Sequence, residues 1–188
     1  MRKDIMVDIE TLGNKTNSTI FQIAAVSFDI NTGDIISKFN KIADIEENDF
    51  LDVTGSTLKW WLKTNKELLS DLLHKGEGST EDLLISFHKW LKKQHTNNDD
   101  VYLWGNGILF DNKMIQHQFE EEGLEYPIFY RNDRDVRTIV DLAGAKLKVS
   151  EKELKDKFKD ESLIAHDAFD DVLYQVQLVV GCYKELIG

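Results

Sequence analysis

With 188 residues, 41% hydrophobic and 30% charged, the chain has the balance of one soluble domain, residues 1–188, with a substantial core. A net charge of −11 argues against a protein that coats nucleic acid through a basic face, although it leaves contact with a chain end open. Cys182, the single cysteine, excludes an internal disulfide and a thiolate metal site and is left to helix packing; with no apolar run long enough for a membrane span or signal core, the expected location is the cytoplasm.

Residues 4–11 read as a buried strand that carries two carboxylates, Asp8 and Glu10. Strand side chains alternate faces, so the pair projects on one side, roughly 7 Å apart along the chain. Ionised carboxylates persist in a low-dielectric setting only when paired, hydrogen-bonded or coordinating a cation. A divalent metal is the leading compensation.

Residues 19–30 form a second apolar segment, and the turn signal Asn31-Thr32-Gly33-Asp34 leads into a third at residues 35–39, which together predict a three-stranded meander. Gly55-Ser56-Thr57 and Ser79-Thr80-Glu81-Asp82 offer N-caps for helices over residues 58–62 and 83–93. Residues 101–104 return as a strand, Gly105-Asn106-Gly107 breaks it, and residues 109–123 have helical spacing ending at Gly123. A further strand is expected over residues 128–131 or 135–138. The last helix aligns Phe169, Leu173, Val176, Val180, Tyr183 and Ile187 on one apolar face. Strands alternating with helices in this order predict an α/β domain with a mixed sheet flanked by helices.

Three islands combine chemistry with order: Asp8-Ile9-Glu10-Thr11, then Asn106 to Asp111, then His166 to Asp171. Together they resemble the DEDD superfamily of 3′-5′ exonucleases in its histidine-bearing branch, DEDDh, whose motifs are Asp-x-Glu, Asn-x2–3-(Phe/Tyr)-Asp and His-x4-Asp. The resemblance spans nearly the whole chain, with looser likeness to a small bacterial and phage subfamily through Trp60-Trp61 and Arg134 to Thr138. It implies a ribonuclease H-like fold with a five-stranded mixed sheet, two Mg²⁺ or Mn²⁺ ions bridged by Asp8, Glu10 and Asp171 completing the first site, Asp111 supporting the second, and His166 as general base. Two ions about 3.5–4 Å apart can together activate water and neutralise the leaving oxygen, and oxygen-only ligands favour magnesium or manganese. A free imidazole titrates near neutrality and suits the base role.

Each residue also has a plainer reading. Asp8 and Glu10 can be solvated at a strand end, Asn106 can be a turn residue, Asp111 a helix N-terminal acid, and His166-Asp167 a helix cap. Helical periodicity does not separate Asp170 from Asp171 as the last ligand; the family spacing favours Asp171. His74, His88, His95 and His117 lack ligand spacing and are expected at the surface. Adjacent tryptophans on a helix point about 100° apart, so one of Trp60 and Trp61 is expected to face a cleft, with Trp61 the candidate for stacking on a base. Arg134 and Arg137, near Arg131 and Tyr130, are candidates for holding phosphates, with ion pairs to Asp133 and Asp135 the alternative. By the same resemblance, Thr11 and Leu12 would grip and wedge the terminal nucleotide.

The sequence therefore predicts a metal-dependent 3′-5′ exonuclease that acts on single-stranded DNA or RNA ends or 3′ overhangs and releases nucleoside monophosphates. No membrane partner is expected, and pairing into a homodimer is compatible. The rivals are a catalytically weak or inactive interaction module on the same fold and an endonuclease, which would need a longer basic track and lack this histidine.

Overall fold

The computed structural model describes residues 2–95 and 100–188. β1 (Lys3–Thr11), β2 (Ile20–Phe28) and β3 (Ile35–Ile42) form the antiparallel meander, and β4 (Val101–Gly105) and β5 (Asp133–Asp135) add parallel to β1. The result is a five-stranded mixed sheet of order β3-β2-β1-β4-β5, with β1 at its centre. Its helices among the described residues are α1 (Gly55–Thr64), α2 (Lys66–Leu73), α3 (Thr80–Gln94), α4 (Asp111–Glu121), α5 (Val136–Leu147), α6 (Glu151–Lys157) and α7 (Ala168–Ile187).

The pleat of β1 divides the core in two. Ile5, Val7 and Ile9 pack with Leu84, Phe87 and Leu91 of α3 and with Met114 and Phe119 of α4. Met6, on the opposite face, packs with Val140 and Ala143 of α5 and with Val172, Val176 and Val179 of α7. Each fully buried aliphatic side chain contributes roughly 1.5–3 kcal/mol, so both layers hold β1 firmly. Asp8 and Glu10 share the parity of Met6 and therefore extend the α7 face beyond its apolar part. A third cluster, Leu12, Phe21, Trp61, Leu69 and Leu72, fastens α1 and α2 over the end of β1.

Several expectations change. The fifth strand lies at neither 128–131 nor 135–138: it is the polar triplet Asp133–Asp135, too short and too hydrophilic to leave an apolar signature, and Val136 already begins α5. Asp135 marks the switch, its side chain accepting the Thr138 N–H as the helix N-cap. On α7, Val176 and Val180 are buried, but Ile187 is 63% exposed at the helix end. His88 is not at the surface; it is buried edge-on to Phe119 and its Nε2 donates to the Glu125 carbonyl. Cys182 is buried in the α7 layer, as helix packing predicts.

Candidate active site

The C-terminal half of β1 brings Asp8 and Glu10 beneath the first turns of α7. There Asp171 joins them: one carboxylate oxygen from each of the three lies within 4.8 Å of the others. Glu10 is buried and its two partners are half-buried. Asp111, the first residue of α4, is buried beside the group.

Burial holds the Asp8 and Glu10 carboxyls well above the ordinary carboxylate range, and their acidic neighbours push the same way, Asp111 and then Asp171 acting on Asp8. Burial likewise raises Asp111 to about 7, against the opposing pull of backbone hydrogen bonds and of Arg137. Asp171 is raised by burial and lowered in part by the His166 backbone N–H, which donates to its Oδ2 at 3.0 Å. Hard carboxylate donors at this density, raising one another, are what a divalent cation would neutralise. The donor set fits a metal.

His166 stands at the entrance to α7 with φ 70°, a left-handed conformation unusual for a residue with a Cβ. Its position is fixed from two sides. The backbone is tied to Asp171, and the ring meets Trp60 edge-on, with centroids 4.9 Å apart at 82°. Asp167 caps α7 by accepting from the Phe169 and Asp170 N–H groups. Asp170 turns away from the acidic group, accepting the Ile164 N–H at 2.8 Å.

The model of the "3'-5' exoribonuclease Rv2179c-like domain" family matches residues 3–183. The chain belongs to that family. It is a 3′-5′ exonuclease. A phage T4 exodeoxyribonuclease is 21% identical over 98% of this chain and 91% of its own length. The fold is shared with solved nucleases. The nuclease domain of 3'hExo, bound to rAMP, superposes with a TM-score of 0.64 at 16% identity, covering 97% of this chain and 92% of that one. For cell-death related nuclease 4 the TM-score is 0.69 at 15% identity, with coverage of 97% and 64%. Escherichia coli exonuclease I in complex with a dA16 oligonucleotide gives 0.63 at 17% identity, over 95% of this chain and 41% of that one.

Around the exonuclease's acidic group, the expected substrate residues divide. Trp61 does not face the cleft: it is 1% exposed, packs on Phe21, and its Nε1 donates to the Thr11 carbonyl at 3.1 Å. The ring left in the open is Trp60, 43% exposed. Thr11 and Leu12 are also internal. The Thr11 hydroxyl donates to the Gly13 carbonyl, the Leu12 N–H donates to the Thr19 carbonyl and the Leu12 carbonyl accepts from the Thr54 N–H, so both side chains are turned inward and the Leu12 backbone is already paired. Arg134 is likewise engaged elsewhere; its guanidinium stacks on Tyr102 and donates to the Arg131 and Asp133 carbonyls. Arg137 is exposed and lies near Asp111, its guanidinium passing over Gly107. Asn106 is half-buried in the turn after β4.

One contributor lies outside the three sequence motifs. Gln175, 3% exposed, donates from Nε2 to Asp8 Oδ1 at 2.9 Å. Its signal was present: it lies four residues after Asp171, on the same helical side, as a polar residue within an apolar stripe.

Proposed function

We propose that this exonuclease, acting as one domain, trims single-stranded DNA or RNA from the 3′ end and releases nucleoside monophosphates. Convergence of carboxylates from β1 and α7 within 4.8 Å, with His166 at the same helix entrance, carries the reading. Asp8, Glu10 and Asp171 would hold one Mg²⁺ or Mn²⁺, with Asp8 and Asp111 serving a second. Two such ions, when bound, supply charge neutralisation at the scissile phosphate and help ionise the attacking water.

The chain's own groups do the rest. In this reading His166 accepts the water's proton at a ring nitrogen, its ring held in place by Trp60 and its backbone by Asp171. Arg137 offers a guanidinium to phosphate oxygens beside Asp111. Trp60, exposed and aromatic, offers a π-face to a terminal base. An acidic surface suits an enzyme that engages only a few nucleotides at an end. The family description names RNA, whereas the phage relative's name points to DNA, so both polymers belong in the test.

The test digests 5′-labelled single-stranded DNA and RNA with Mg²⁺ or Mn²⁺, comparing wild type with Asp8→Ala and His166→Ala. A descending ladder lost in both variants supports the reading. Nicking of circular DNA favours an endonuclease, and tight binding without turnover favours an interaction module; either outcome overturns it.

A further inference from the structure

We propose that Gln175 is a positioning residue for Asp8, fixing the rotation of its carboxylate so that Oδ2 is the oxygen offered to a divalent cation. The inference rests on the metal-binding reading above.

Gln175 sits on the buried side of α7 among Val172, Val176 and Val179, where a leucine or methionine would satisfy the packing. Instead the position carries an amide that is only half satisfied. Nε2 donates to Asp8 Oδ1, while Oε1 is buried without a hydrogen-bond partner. A buried unsatisfied acceptor costs about 1–3 kcal/mol, and a hydrogen bond to a carboxylate returns about the same, so the amide brings no clear net gain in stability over an apolar side chain that fills the same space. Groups that violate the packing rule beside reacting carboxylates are expected to serve the site.

What the amide does follows from its geometry. Asp8 comes from β1 and Asp171 from α7, so their relative placement depends on how two separate elements dock. Gln175 lies one turn along α7 from Asp171, and its bond to Asp8 ties the strand ligand to the helix that carries the other ligand. With Oδ1 engaged, rotation of the carboxylate is restricted, and in this reading Oδ2 is the oxygen left for the cation. Supporting hydrogen bonds of this kind typically change metal affinity by about 10–100-fold.

The experiment measures Mn²⁺ binding by calorimetry, melting temperature with EDTA and with saturating Mn²⁺, and kcat and KM on a labelled oligonucleotide, for wild type and Gln175→Met. The expected result is about 10–100-fold weaker Mn²⁺ binding, with a metal-free melting temperature at or above wild type and a smaller gain on adding Mn²⁺. Activity should recover in part at high Mn²⁺. A purely structural role would lower both melting temperatures together with unchanged affinity, and would overturn the proposal. Gln175→Asn, which keeps the donor one methylene short, serves if the methionine variant does not fold; wild-type affinity there overturns it equally. Wild-type protein that neither binds Mn²⁺ nor digests the oligonucleotide would instead defeat the metal-dependent reading itself.

Discussion

Asp170 and Asp171 are consecutive on α7 yet serve opposite sides: Asp170 Oδ2 accepts the Ile164 N–H at 2.8 Å, while Asp171 Oδ2 accepts the His166 N–H and shares the acidic group with Asp8 and Glu10. Their isosteric amides should therefore differ. Asp171→Asn is expected to lower exonuclease activity by at least the roughly 10–100-fold that loss of a metal-supporting group costs. Asp170→Asn weakens only the tether of the segment before His166 and should keep most activity with a slightly lower melting temperature. Initial rates on one labelled oligonucleotide decide the matter, and the reverse order would mean that α7 presents its other acid.

The raised carboxyls make the metal-free protein's stability depend on pH in a definite direction. Asp111 ordinarily titrates at 3.8 and is raised to about 7 when folded. Between those values the folded state holds a proton that the unfolded chain has released, so stability is highest below pH 4 as regards this group and falls as pH rises toward 7. The full effect is on the order of 4 kcal/mol. Asp8 and Glu10 act in the same direction. Thermal melts in EDTA between pH 4.5 and 8 should show Asp111→Asn flattening this fall and exceeding wild type at pH 8. Mn²⁺ should stabilise wild type increasingly as pH rises, because the ion competes with protons for the same oxygens. A metal-induced gain that is independent of pH would contradict the assignment.

Much of this was legible in the chain because the signals were periodic or paired. Asp8 and Glu10 announced themselves as acids in a strand, and the meander, β4, α4 and α7 followed from apolar spacing and turn residues. What escaped depended on tertiary pairing. β5 is defined only by its ladder to Leu103, Trp104 and Gly105, and its three residues are all charged. Adjacent tryptophans on a helix imply one ring in and one out, but which is which depends on how α1 docks on Thr11. Gln175 was hidden for the same reason: its meaning lies in a contact to a residue 167 positions away. The short α6 did carry a local signal, the capping box of Ser150 and Glu153, in a stretch without apolar periodicity.

The two tryptophans should separate stability from activity. Trp61→Ala removes a buried ring and its bond to the Thr11 carbonyl, for an expected loss of about 3–5 kcal/mol. Trp60→Ala should cost much less stability. It removes an edge-on contact with His166 of a kind worth about 0.5–1.5 kcal/mol, which corresponds to a roughly 2–10-fold change in rate if that contact holds the base in place. Trp60→Phe, which retains an aromatic ring, should recover part of the loss. Denaturant melts and initial rates measured on the same preparations test the division, and equal losses of stability would refute it.

Gly105, at the end of β4, places the backbone against α4. A Cβ there would lie 2.4 Å from Asn112 Oδ1 and 3.3 Å from Asp111 Oδ2. Asn112 has little freedom to yield, since its Nδ2 donates to both the Leu103 carbonyl and Asp133 Oδ1 and so ties α4 to β4 and β5. Gly105→Ala must therefore break those bonds or push the start of α4 outward, and overpacking of this kind costs roughly 1–3 kcal/mol. Because Asp111 is the first residue of α4, the same displacement moves it away from Asp8, so Mn²⁺ affinity and exonuclease rate should fall along with the melting temperature. Adding Asn112→Ala removes the clashing atom and should restore metal affinity relative to Gly105→Ala alone, even though the double variant lacks both amide bonds. Wild-type melting and Mn²⁺ binding in Gly105→Ala would show that the strand and helix can part without moving Asp111, and that glycine is not what holds the carboxylate in place.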